Sequence, residues 1–380
     1  MSIYEVTLKS DVAKSFRCTK AANSLDIDAE KKSVHHLRIE GADIVSPFNV
    51  GLIVGASGSG KTTLAQQVYG VDCFRPLLDL SQPVIDQLPA ELSYDECAGI
   101  LAGVGLTSVP CWIRPAYTLS NGQRARAEAA LQMAHLSEGV AVIDEWTSVV
   151  DRTVAKVMSH CIQKHARKAG RRVVLLSCHY DVIDWLDPDW VIDCNRQEFI
   201  DRRSVRRGRT ESLTFDLREV DRASWRYFSK YHYLSETLPL GHIKTFGLFH
   251  GDEQIGFQCF ANYVPHRKGD KSPMKMHSNR TVIHPDYAGF GLGIKVINAS
   301  SMVMESMGFR VMAKYSSTPV YLSMKRYPCW QLLKVERNTS PMITGNIQRK
   351  SGYRLDVKTY SFEFHGSAYE PTTDGVLIRS

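Results

Sequence analysis

The stretch "GLIVGASGSGKTTLAQQVYG", residues 51–70, constrains this chain more than any other. It runs from aliphatic residues through a glycine-rich turn into a helical pattern. The turn fits G-x-x-x-x-G-K-[ST] from Gly55 to Thr62. Glycines suit it because bare backbone N–H groups can approach a phosphate closely, and the following helix adds its positive end. The pattern assigns Gly55, Ser57, Gly58, Ser59, Gly60, Lys61, Thr62 and Thr63 to a nucleotide. Lys61 is expected on the β- and γ-phosphates and Thr62 on Mg2+.

At 380 residues the chain is too long for one ordinary core, so two domains are expected. No apolar run approaches the roughly 18 residues that span a bilayer. The N-terminus lacks a basic segment followed by an apolar one, which argues against a signal peptide and for a cytoplasmic protein without a membrane partner. Nine cysteines with no C-x-x-C spacing point to reduced thiols rather than a disulfide framework or a structural zinc.

The net charge of +7 is unevenly spread. Residues 1–200 carry 20 basic against 24 acidic side chains, a net of −4, and residues 201–380 carry 27 against 16, a net of +11. Such a half-chain excess suits a polyanionic partner, nucleic acid above all. The shift coincides with "DRRSVRRGRTES", read as a basic linker over 201–212. Before it, apolar runs alternate with helical stretches, which predicts an α/β domain with a mainly parallel sheet covered on both faces. After it, residues 243–264 read as a hairpin, "RTVIHP" as a strand, 292–309 as a helix and "RVMAKYS" as another strand. Val296, Ala299, Val303 and Met307 are the positions expected to face the core.

Three further stretches narrow the first domain. "YTLSNGQRARAEAAL" holds Ser120, Asn121, Gly122 and Gln123; "VAVIDEWTSVVDR" holds Asp144, Glu145 and Asp151; "VVLLSCHYD" runs from an apolar strand into His179. Together they resemble the ABC-type ATPases: signature, Walker B strand, D-loop and switch histidine in that order, over residues of about 40 to 200. The resemblance implies Mg2+ on Thr62 and Asp144, an attacking water oriented by Glu145, and His179 on the γ-phosphate. It implies coupling between halves through Asp151. One chain carries one signature and one lysine-bearing loop, so an ATP sandwich requires a head-to-tail homodimer. The signature has Asn121 where glycine is usual. The 58 residues between Lys61 and Ser120 leave little room for the helical subdomain of transporters. Gln82 and Gln87 are the alternatives for the Q-loop glutamine.

"NRTVIHPDYAGFGLGIKVINASSMVMESMGFRVMAKYS", residues 279–316, resembles the central motif of the GNAT acyltransferases. The resemblance implies a GNAT-like α/β domain over 213–380. Gly289, Gly291 and Gly293 would take the pyrophosphate of acetyl-coenzyme A or another acyl donor, although Ala288 stands where that family has a hydrogen-bonding side chain. The whole order resembles an ABC-type ATPase fused to a GNAT-like domain, as found in prokaryotes and their viruses. At the level of fold the second half is similar to the Mom group of DNA-modification proteins.

Transfer to an amine needs a base and an acid. His232, Tyr233, His284, Asp286 and Tyr287 are the candidates. In "WRYFSKYHYL", Trp225 and Phe228 read as core residues, while Arg226 and Lys230 sit among aromatics as on a base-stacking surface. "HRKGDKSPMK" (266–275) is a basic loop suited to a phosphate backbone. The expected function is ATP-dependent modification of nucleic acid, DNA ahead of RNA. An N-acetyltransferase regulated by the ATPase, and a non-catalytic DNA-docking module, remain as alternatives.

Overall fold

The aliphatic run ahead of the glycine turn is a strand, Val50–Val54, and all five residues are buried. The computed structural model describes residues 3–9, 15–24, 34–135, 139–148, 150–204, 213–232, 237–263, 272–289, 291–316, 318–337, 358–369 and 376–379. The chain forms two compact units, Met1–Glu211 with Pro285–Phe290, and Ser212–His284 with Gly291–Ser380. Tyr233, most of the expected linker and most of the 266–275 loop lie outside the described residues.

In chain order the first unit contains β1 (Ile3–Lys9), α1 (Phe16–Ser24), β2 (Val34–Glu40), β3 (Val50–Val54), α2 (Lys61–Tyr69), α3 (Tyr94–Gly103), α4 (Val109–Trp112), α5 (Asn121–Ala134) and β4 (Val140–Ile143). It continues with α6 (Arg152–Ala169), β5 (Arg172–Ser177), α7 (Val182–Leu186), β6 (Trp190–Asp193) and β7 (Glu198–Asp201). Five strands make one sheet in the order β4-β5-β3-β6-β7, parallel except for β7 at the edge. Successive side chains of β3 leave on opposite faces. Leu52 packs in a core with Ala141, Leu175 and Met158, while Ile53 packs in another with Val142, Leu176 and Leu64. Burial on both faces is why these strands are aliphatic throughout. Because β3, β4 and β5 are parallel, the loops that follow them all emerge at the same end of the sheet.

Residues 201–204 differ from the linker expectation. Asp201 closes β7, Arg202 pairs with Asp187 at 3.8 Å and Arg203 with Asp43 at 2.9 Å, so these residues are anchored in the first unit. Two arginines read as solvated linker charge are held by carboxylates distant in sequence.

The second unit contains β8 (Leu213–Glu219), α8 (Trp225–Phe228), β9 (Ile243–His250), β10 (Glu253–Ala261), β11 (Lys275–Ile283), α9 (Leu292–Ser306), β12 (Arg310–Tyr315), α10 (Thr318–Met324), β13 (Trp330–Arg337), β14 (Lys358–Phe364) and β15 (Val376–Arg379). The sheet order is β13-β14-β12-β11-β10-β9-β8-β15. β8 to β11 form an antiparallel meander, and α9 crosses from β11 to the parallel β12. Only Lys275–Ser278 of β11 register with β12, although β11 runs on to Ile283. The sheet therefore splays. Its cause is local: the β10–β11 register slips so that Cys259 faces Arg280 and Phe260 faces Ser278, leaving Asn279 as a bulged residue at the fork. Tyr315 and Ser278 hydroxyls meet across the fork at 3.0 Å, and buried Gln258 donates to Ser278 at 3.1 Å.

Trp225 and Phe228 pack on Phe257, as their spacing predicted. Val296 and Ala299 are buried and Val303 is half-buried, but Met307 is exposed. The helix ends at Ser306, which puts Met307 beyond the buried stripe.

Gly51 stands opposite Trp190 in the β3–β6 register, and a methyl group there would collide with the indole. Gly51→Ala should destabilise the first unit by about 1–3 kcal/mol through overpacking. A lowered melting transition in calorimetry would show it.

Candidate functional site

The glycine turn closes over a lysine. Gly58 and Gly60 adopt φ of 79° and 94°, and the Leu64 N–H bonds the Gly60 carbonyl at 2.8 Å to open α2. Lys61 is only 4% exposed. Its Nζ donates to the carbonyls of Gly55 and Ala56, each at 3.0 Å, and lies 3.4 Å from Glu145 Oε1. Ser59 is buried beneath the loop, Thr63 is half-buried, and Ser57, Gly58 and Thr62 are exposed. Ala56 N–H donates to Asn195 Oδ1 at 3.1 Å, and Asn195 also bonds the Tyr180 hydroxyl. Sequence reasoning missed this anchor. Its only signal was an Asn just past a buried strand.

Two carboxylates stand beyond β4. Thr62 Oγ1 donates to Asp144 Oδ2 at 2.9 Å. Asp144 Oδ1 is buried with no hydrogen-bond partner among the described residues, and burial pushes this carboxyl above its ordinary range. An orphaned carboxylate oxygen beside a threonine hydroxyl suits a hard divalent cation, which takes oxygen ligands. Glu145 sits at φ 47°, a left-handed conformation that costs a non-glycine residue about 1–2 kcal/mol. Its Oε2 accepts from the Ser148 hydroxyl while its Oε1 faces Lys61. Strain of this kind gathers where function fixes the backbone.

His179 follows β5. Its Nδ1 lies 3.1 Å from Thr147 Oγ1, which is 2.9 Å from Ser177 Oγ, and Ser177 Oγ also accepts from the His179 N–H at 3.0 Å. The ring is thus oriented from the segment that carries Glu145. Neighbouring Cys178 is half-buried, with its Sγ 3.7 Å from Ser148 Oγ.

The signature residues begin α5. Ser120 caps it by accepting from Gln123 N–H at 3.3 Å, and Gln123 Oε1 accepts in return from Ser120 N–H at 3.1 Å. This reciprocal cap explains the Ser-x-x-Gln spacing. Ser120 and Asn121 are exposed and Gly122 and Gln123 half-buried. Asp151 caps α6 by accepting from Val154 N–H at 2.9 Å. Of the Q-loop alternatives, Gln87 is consumed locally, donating to the carbonyls of Asp79, Gln82 and Pro83, whereas Gln82 is exposed.

In the second unit, His284 Nε2 lies 3.1 Å from the Tyr231 hydroxyl, the rings edge to face at 5.1 Å. Tyr231 was not singled out in the sequence, although it lies in the aromatic run. His232 packs edge-on against Trp225, with centroids 5.7 Å apart. Gly291 caps α9 with φ 70°, and a methyl at Gly291 or Gly293 would meet nothing within 4 Å. Asp286, Tyr287 and Gly289 belong to the first unit instead. Asp286 pairs there with Arg126 at 3.5 Å, Tyr287 is buried, and a methyl on Gly289 would collide with Cys161. Among the described residues there is no cluster of three metal-type side chains, and no helix is long and apolar enough to cross a membrane.

No protein-family profile and no curated protein matches the sequence. Among solved structures, a dimeric ATP-binding cassette in a post-hydrolysis state with ADP and Pi is similar over 52% of this chain and 96% of its own, at 15% identity and a TM-score of 0.37. The ADP conformation of an ABC transporter's ATP-binding cassette is similar over 44% and 82%, at 17% identity and 0.31. A Bacillus subtilis acetyltransferase in complex with CoA is similar over 40% and 97%, at 10% identity and 0.27. Likenesses this remote leave the chemistry to the residues themselves.

Burying the Asp144 carboxylate without a partner for Oδ1 disfavours its charged form, so the protein bears that penalty at neutral pH. Asp144→Asn should therefore raise the melting temperature, which scanning fluorimetry measures.

Proposed function

We propose that the chain is an ATPase that acts as a head-to-tail homodimer and couples nucleotide turnover to a GNAT-like transfer onto nucleic acid, DNA ahead of RNA. The observation that carries the ATPase reading is the buried Lys61, held between the loop carbonyls and Glu145 beside the orphaned Asp144 oxygen. An arriving triphosphate offers Lys61 a stronger, doubly charged partner than two carbonyls. The loop amides and the start of α2 receive the β-phosphate.

Thr62 and Asp144 would hold Mg2+, which neutralises phosphate charge when bound. Glu145, released from Lys61, orients the attacking water, and His179 meets the γ-phosphate. Phosphoryl transfer asks the protein for positioning more than covalent chemistry, which fits this set of fixed side chains. Ser120, Asn121, Gly122 and Gln123 supply a helix start to the ATP of a second copy. The exposure of Ser120 and Asn121 in the single chain supports that role. Nine thiols, none in a disulfide, suit a reducing cytoplasm.

On the second unit, the splayed sheet and the open Gly291 and Gly293 amides suit the pyrophosphate of acetyl-coenzyme A or another acyl donor. In the transfer a base amine attacks the acyl carbon, a C–N bond forms and the donor's leaving group departs. The amine loses one proton and the leaving group gains one. Tyr231 with His284 is the pair set to move them. Arg222, Arg226, Tyr227 and Lys230 are exposed opposite the buried Trp225 and Phe228. The Arg226 guanidinium lies 4.7 Å over Tyr227, and the Lys230 ammonium 4.9 Å over Tyr231. Cations interleaved with an exposed ring, Tyr227, and a half-buried one, Tyr231, suit a single-stranded or flipped-out base.

Lys61→Ala should abolish ATP binding, read with a fluorescent ATP analogue. Glu145→Gln should bind ATP without hydrolysing it and elute as a dimer on size exclusion. A Glu145→Gln chain that binds ATP and stays monomeric contradicts the sandwich. For the transferase, mass spectrometry of nucleosides from cells with and without the gene should reveal a new modified base. Identical profiles in DNA and RNA contradict nucleic-acid modification.

A further inference from the structure

Arg126 is the most deeply buried charged side chain among the described residues, with no exposed surface. It lies three residues past Gln123 on α5, the helix that the signature opens. Its Nη2 donates to the Asp286 carbonyl at 3.0 Å, and its Nη1 lies 3.5 Å from Asp286 Oδ1. Nε has no hydrogen-bond partner among the described residues. Burial weakens the hold of Arg126 on its proton, opposed first by Asp286, then by Cys161, with a smaller contribution from Asp151 at the cap of α6.

The turn that supplies Asp286 is closely fitted. Its Ala288 N–H returns to the Pro285 carbonyl at 3.1 Å, and Tyr287 is buried. A methyl on Gly105 would lie 3.0 Å from the Ala288 carbonyl, and one on Gly122 would lie 3.6 Å from Asp286 Oδ1. The left-handed Gly289, at φ 107°, leaves no room for a side chain against Cys161 of α6. Chain on either side of Pro285–Phe290 belongs to the second unit, yet these residues are part of the first.

We propose that Arg126 is a positioning residue that locks the Pro285–Gly289 turn to the signature helix, so that nucleotide engagement at Ser120 sets the mobility of the segment leading into Gly291 and Gly293. The inference rests on the ATPase reading above. The physical warrant is that a helix moves as a rigid rod, and that separating Arg126 from half-exposed Asp286 is resisted because the fully buried guanidinium would be left uncompensated. A shift of α5 on engaging nucleotide therefore carries Asp286 with it or breaks the pair. Either event is felt in the turn.

Hydrogen–deuterium exchange on the full-length protein tests it. In a Glu145→Gln background, exchange of peptides covering residues 284–289 is compared with ADP and with ATP, and ATP binding is confirmed on the same samples with a fluorescent analogue. The expected result is at least a fivefold change in exchange rate between the two states. The change disappears in Arg126→Met/Asp286→Leu, which replaces both charges with apolar groups of similar bulk. Asp286→Asn, which keeps the backbone carbonyl and most of the shape, should raise exchange of the turn in both states; it carries the test alone if the double variant does not fold. The proposal is overturned if ATP binds and the peptide does not respond, or if the response survives these substitutions. A chain that binds no ATP would overturn the ATPase reading itself.

Discussion

The first unit depends on where one ammonium group rests. Lys61 is almost wholly buried, and its charge is shared among two loop carbonyls and the Glu145 carboxylate. A buried cation without such partners would be prohibitive. This sharing holds the glycine turn in shape and keeps Glu145 close at hand. The strained backbone of Glu145 and its bond to Ser148 fix the other end of the contact. Thr147, on the same short segment, orients His179, so three groups assigned to the phosphates and the water are set by a few neighbouring residues.

Much of this was legible in the sequence because it is local. Glycines in a turn, a lysine and a threonine at fixed offsets, and carboxylates at the end of an aliphatic strand lie within a few residues of one another. The doubly covered parallel sheet was equally readable, since burial on both faces leaves uninterrupted aliphatic runs such as Val140–Ile143. The reciprocal cap at Ser120 and Gln123 is another short-range pattern.

What escaped the sequence is what links distant positions. Asn195 holds the loop amide of Ala56 from 139 residues away. Arg202 and Arg203 looked like linker charge until Asp187 and Asp43 were seen beside them. Tyr231 gains its interest only from His284, brought near by the sheet. Asp286 was read with the transferase because of its neighbours in sequence, yet it belongs to the first unit with Arg126. The fork between β11 and β12 also left no clear mark, because a bulge at Asn279 depends on register and not on residue type.

The central claim is that Lys61 of one copy and Ser120 of another act on the same ATP, and subunit mixing tests it most directly. Lys61→Ala and Ser120→Arg chains are assayed for hydrolysis separately and then after co-refolding. Each alone is inactive in this account. The mixture recovers about a quarter of wild-type turnover, because half of the dimers are mixed and each mixed dimer has one intact site. A mixture that forms dimers and stays inactive, or a Ser120→Arg chain that hydrolyses ATP unaided, contradicts it.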